Sequence, residues 1–127
     1  MSPEEIQAIY FVECEESLAA AEAGLDACKS GTHDADTVNG VFRAVHSIKG
    51  GAGAFGFEAL QTYTHAFETL LSDLREGILP ITDTLIELLL RSLDTLSDHV
   101  AVARDGGTPP EDALLLAEMA VARGAGG

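Results

Sequence analysis

The 127-residue chain carries 21 acidic and 7 basic side chains, for a formal net charge of −14, and 46% hydrophobic residues with few aromatics and no tryptophan. That length suits one domain whose core needs no staples, and a composition rich in Ala and Leu favours helices. The charge argues against nucleic acid or an anionic membrane as partner; an acidic surface serves solubility or a partner with a basic face.

Ser2-Pro3-Glu4-Glu5 forms a capping box with proline at the first helical position, which predicts a helix from the outset. Its inner face is expected from Ile6, Tyr10, Cys14, Ala21 and Leu25, and its end near Lys29, before Ser30-Gly31. Cys14 and Cys28 then lie on one helix, about 20 Å apart at 1.5 Å per residue. They cannot bridge and are read as buried, reduced thiols.

After Gly31–Asp34, either Asp34 or Asp36 can cap a second helix that runs to about Phe55, with Gly56 as its C′ residue. Val38, Val41, Phe42, Val45, Ile48, Ala52 and Phe55 repeat at three-and-four spacing, the mark of one buried stripe. A third helix follows within a residue or two, presenting Leu60, Tyr63, Thr64, Phe67, Leu70, Leu71 and Leu74 before Glu76-Gly77. Ile81-Thr82-Asp83 caps a fourth, with Leu85, Ile86, Leu89, Leu93, Leu96 and Val100 inward and a stop at Gly106-Gly107. Thr108-Pro109-Pro110-Glu111 predicts a short fifth helix through Leu115, Met119 and Ala122. Short loops favour an all-α, antiparallel up-down four-helix bundle with that fifth helix added at the C-terminus. The domain is placed at residues 1–123, and Gly124–Gly127 is taken as a flexible tail or the start of a linker.

Met1 to Glu5 is acidic rather than basic, so no signal peptide is expected. No apolar run is long enough to span a membrane, Leu85–Leu90 being interrupted by Glu87. A cytoplasmic protein, monomeric as an isolated domain, is the expectation.

Function centres on the second helix. His46 sits just off the apolar stripe, and Lys49, Gly50 and Gly53 come round to its flank at about 100° per residue. Gly50, Gly51, Gly53 and Gly56 crowd the helix's second half, and each interior glycine costs about 0.5–1 kcal/mol relative to alanine. Clearance explains the cost: Gly50, Gly51 and Gly53 leave the imidazole uncovered for access and partner docking. On the third helix, His65 and Glu68 lie on the equivalent flank. With the turn at Gly56, His46 ten residues before it and Glu68 twelve after it reach the same height. A carboxylate accepting from Nδ1–H fixes the tautomer that frees Nε2 and raises its basicity. Free Nε2 can attack an activated phosphoryl group. Lys49 can offset phosphoryl charge, and His65 can hydrogen-bond nearby or order water.

The segment HSIKGGAGAFGF, with NGVFRAV before it and THAFETLL after it, resembles the phosphorylation motif of histidine phosphotransfer (HPt) domains. Closest are the N-terminal domains of the CheA family of chemotaxis histidine kinases. The resemblance implies that His46 is the phosphorylated residue, with Lys49, His65 and Glu68 matching the residues around it. It implies as partners a histidine kinase ATP-binding domain and the receiver domain of a response regulator, with ATP and magnesium supplied by those partners. No loop of the chain is recognisable as ATP-binding, so self-phosphorylation is not expected. A stand-alone phosphorelay shuttle is the alternative within the family. From other classes come a zinc site on His46, His65 and Glu68, and a structural interaction module, which leaves the helix-interior glycines unexplained. Gly51–Gly56 spells a dinucleotide-binding fingerprint, but no strand precedes it. His33 and His99 have no supporting residues and are assigned no role.

Overall fold

The computed structural model describes residues 1–125, and its helices are α1 (Pro3–Ser30), α2 (Ala35–Phe55), α3 (Glu58–Arg75), α4 (Asp83–Asp105) and α5 (Ala113–Ala120). No strand occurs among the described residues. The expected ends hold at the caps. The Ser2 box closes on Glu5; Asp34, rather than Asp36, caps α2 and exchanges hydrogen bonds with Thr37; Thr82 caps α4. Each cap satisfies backbone donors that a helix end leaves open.

Residue pairs fix the packing. Gly53 approaches Gln61 and His46 meets Glu68, an antiparallel register about the Gly56 turn. Gly24 lies against Val41 while Tyr10 reaches Ile48, which runs α1 antiparallel to α2. The helices α1 to α4 thus close a four-membered ring around a core that includes Leu25, Val45, Ile48, Tyr63, Phe67, Leu71, Leu89 and Leu96. Each large apolar side chain so buried stabilises the fold by about 1.5–3 kcal/mol. Burial also pushes the Cys14 and Cys28 thiols above their ordinary range, so both stay protonated.

Two expectations change. Ile6 is exposed, not inward. Tyr10 already packs against Phe55 in the last turn of α2, and Ile6 lies about 6 Å further along the axis, past the end of its neighbour. The inner face of α1 instead adds Phe11, Leu18 and Cys28. The fifth helix begins at Ala113, not after Thr108. Pro110 disfavours the helical conformation at Pro109, so no capping box forms there, and the Asp112 carboxylate is already engaged. The helix passes into a wider turn over Val121–Ala125, where Gly124 takes a left-handed φ of 85°. Gly126 and Gly127, half of the expected tail, lie outside the described residues.

Three polar links bind α5 and the residues flanking it to the bundle. Arg91 pairs with Glu118 at 2.7 Å, Arg123 with Asp73 at 2.8 Å, and His99 Nε2 with Asp112 Oδ2 at 2.9 Å. His99 is buried and stacked on Tyr63 at 4.7 Å between ring centroids. Asp112→Ala should therefore leave a buried nitrogen unpaired and cost about 1–3 kcal/mol in urea unfolding. On a His99→Phe background the same substitution should cost far less. Additive losses would show that the two side chains do not depend on each other.

Candidate functional site

The α2–α3 hairpin builds the site. Gly56, at φ 76°, ends α2, and Phe57 N–H returns to Ala52 O at 2.9 Å. That left-handed residue lets α3 begin two positions later and run back alongside α2. At mid-height, Nδ1 of His46 lies 2.5 Å from Glu68 Oε2, and Lys49 Nζ donates to Glu68 Oε1 at 2.7 Å. One carboxylate thus has both oxygens engaged by one turn of the neighbouring helix.

Exposure is asymmetric. The His46 side chain is 60% exposed while that of Glu68 is 12% exposed. With Nδ1 turned to the carboxylate, Nε2 is the nitrogen left for chemistry, and an acceptor at Nδ1 selects the Nδ1–H tautomer. Burial is the largest influence on Glu68 and pushes its carboxyl up, but the hydrogen bonds and charges of Lys49 and His46 together hold it below its ordinary value. Glu68 is accordingly a carboxylate that accepts, not an acid that donates.

His65 does not join this group. It stands exposed on α3 one turn before Glu68, and among the described residues its ring makes no side-chain hydrogen bond. The zinc alternative loses its three-ligand geometry, and the ammonium on Glu68 Oε1 occupies the place where a cation would bind. Gly51–Gly56, the would-be nucleotide fingerprint, is the last turns of α2 and its cap.

The glycines divide by role. Beside Gly50 there is open space, in keeping with access. A Cβ on Gly51 would fall 2.0 Å from Tyr10 Cε1. Its absence lets the tyrosine ring lie on α2 with the hydroxyl donating to Ile48 O at 2.6 Å. Gly53 would meet the Gln61 amide at 2.7 Å. Gly51 is thus explained by helix packing, a correction to the access reading for that position, whereas Gly53 is exposed and meets only the far end of the exposed Gln61 side chain, which can move aside. Two further residues escaped the sequence reading. Phe42 stacks on His46 and Arg75 lies over Phe42; the spacing of Phe42 one turn before His46 was the available signal.

A helical bundle that grips one solvent-facing imidazole by a single ring nitrogen from the next helix defines a class of histidine-presenting modules. The Hpt domain family matches residues 5–99, and the chain belongs to that family. It is similar to chemotaxis protein CheA of Rhizobium meliloti, 50% identical over 107 residues, 84% of this chain and 14% of that protein. Against chemotaxis protein CheA of Cereibacter sphaeroides it is 44% identical over 131 residues, 98% of this chain and 19% of that one. The chain therefore spans a small part of the curated relatives it matches. Among solved structures it resembles the phosphorylated P1 domain of CheA3 from R. sphaeroides, in complex with CheY6, with a TM-score of 0.85 and 27% identity over 95% of this chain and 97% of that one. No helix among the described residues is long and apolar enough to cross a membrane.

Two sets of measurements follow from the geometry. Because the folded Glu68 carboxyl titrates below the 4.5 of the unfolded group, its ionisation stabilises the fold above that pH and is lost as pH falls through the folded value. Glu68→Gln should flatten this acid limb of the stability curve, and in nitrogen NMR shift the neutral ring from Nδ1–H toward Nε2–H. A wild-type ring mainly in the Nε2–H form would contradict the assignment. Gly50→Ala should raise stability by about 0.5–1 kcal/mol, whereas Gly51→Ala should lower it by about 1–3 kcal/mol through overpacking against Tyr10. Equal effects in thermal unfolding would mean that the two glycines share one role.

Proposed function

We propose that this domain is the phosphocarrier of a chemotaxis histidine kinase system: His46 accepts a phosphoryl group from a kinase ATP-binding domain and donates it to an aspartate of a response regulator. The observation that carries the reading is the 2.5 Å approach of Nδ1 to Glu68 on an otherwise exposed ring. The solved relative, a phosphorylated P1 domain held by CheY6, supports the same direction of transfer.

In the first step the Nε2 lone pair forms a bond to the γ-phosphorus of ATP, the bond to the bridging oxygen breaks, and ADP leaves with that electron pair. The ring keeps its Nδ1 proton, now on a more acidic imidazolium, and Glu68 stabilises it there. Lys49, one turn along, offsets the incoming phosphoryl charge. In the second step an aspartate oxygen attacks phosphorus, the P–N bond breaks, and its electron pair returns to Nε2. Phosphoryl transfer depends chiefly on positioning and charge stabilisation. The domain supplies a tuned nucleophile and open space at Gly50; ATP and magnesium come with the partner domains. The setting is cytoplasmic.

Incubated with a histidine kinase ATP-binding domain, ATP and magnesium, the domain should take an acid-labile label at His46 alone and pass it to a receiver domain. Glu68→Gln should slow labelling by about 10–100-fold, the scale set by partners that orient histidine in metal sites. His46→Gln should abolish it. Label that persists in His46→Gln, or that maps to Ser47, would falsify the reading.

A further inference from the structure

We infer that Phe42 and Arg75 are positioning residues for His46, which together fix the plane of its ring. The inference deepens the phosphocarrier reading and rests on it. The Cβ–Cγ bond and the hydrogen bond at Nδ1 hold two points of the imidazole, but coupled changes in χ1 and χ2 can still tilt its plane while the hydrogen bond bends. The Nε2 lone pair lies in the ring plane, so each such tilt turns the nucleophile away from the line of attack. Misorientation of this kind is expensive in a transfer reaction. The face of the ring therefore needs a restraint of its own.

Phe42 supplies it. One turn before His46, its ring lies within 10° of parallel, with centroids 6.0 Å apart, inside the offset-stacking range of about 4.5–7 Å. Phe42 is only half-buried, so the core alone does not fix it. Arg75, the last residue of α3, holds it in turn, with its Cζ 3.8 Å from the ring centroid. That distance is well inside the reach of a cation–π contact, about 6 Å. The chain has 21 acidic side chains to 7 basic ones. Lys49, Arg91, Arg104 and Arg123 pair with carboxylates; Lys29 and Arg43 do not among the described residues, and neither does Arg75. Its guanidinium sits on an aromatic face instead. Helix α3 thus grips α2 twice, at the edge of His46 through Glu68 and at its face through Arg75 and Phe42.

The test pairs each substitution with a conservative rescue, Phe42→Leu with Phe42→Tyr and Arg75→Gln with Arg75→Lys. Two donors are used: a kinase domain with ATP, and potassium phosphoramidate, which is too small to dock. With phosphoramidate, Nε2–P forms as the donor's P–N bond breaks and ammonia leaves. Phe42→Leu should slow labelling by about 3–10-fold, the energy scale of one aromatic pair, both in the second-order rate with phosphoramidate and at saturating kinase domain, where KM should stay unchanged. Phe42→Tyr should restore the rate; Arg75→Gln should lose about 2-fold and Arg75→Lys little. The His46 ring protons should lose their ring-current shift in Phe42→Leu while the nitrogen tautomer stays as in wild type. Unchanged ring protons, or a loss seen with the kinase domain but not with phosphoramidate, would overturn the inference. Ring shifts are read without phosphorylation, so they test the stack separately. A wild-type chain that takes no label at His46 from either donor overturns the phosphocarrier reading instead.

Discussion

Everything at the site depends on one carboxylate. Glu68 is largely buried between α2 and α3, and a buried charge is costly unless it is paired. Here it is paired twice, with His46 and Lys49, both from α2 and three residues apart. The contact holds the His46 ring by Nδ1 and places a cation beside it, and it does so without reaching the Nε2 side of the ring. Removing either donor would leave part of a buried charge unmet, so the structural requirement and the chemical one coincide in the same three side chains.

That contact exists because the hairpin is short. With α2 ending at Gly56 and α3 beginning at Glu58, the register between the helices is set within a residue. A longer loop would allow His46 and Glu68 to slide past each other. This is why the pairing was legible in the sequence: counting outward from a glycine in the left-handed conformation gives the height of both residues, and the apolar stripes give the flank. The same logic located most of the inner faces of α3 and α4, and the caps of the first, second and fourth helices.

What the sequence hid was mostly packing between helices distant along the chain. Gly51 looked like clearance for His46, but it accommodates Tyr10 from α1, forty-one positions earlier, and nothing in the local pattern names that partner. Ile6 obeys the helical period yet is exposed, because amphipathicity does not say how far a neighbouring helix extends. His99 falls within the apolar stripe of α4, and a polar ring in such a place implies a partner. Asp112, however, lies across a loop of irregular conformation and proline. The capping motif at Thr108 was real as a pattern but was defeated by the second proline.

The charge of the whole domain and the charges at the site act on different scales. Fourteen net negative charges spread over the surface are screened beyond about 8–10 Å at ordinary ionic strength. They bias encounters with partners more than they act on a phosphorus atom at Nε2. At the site the count is balanced: Glu68 is offset by Lys49, and the neutral imidazole adds nothing. The lysine is therefore already in place beside the ring, and no side chain has to be recruited there against the negative field of the domain. Preorganised charge of this kind avoids reorganisation at the moment of reaction. An anion approaching Nε2 would therefore meet a site of no net charge rather than an unpaired carboxylate.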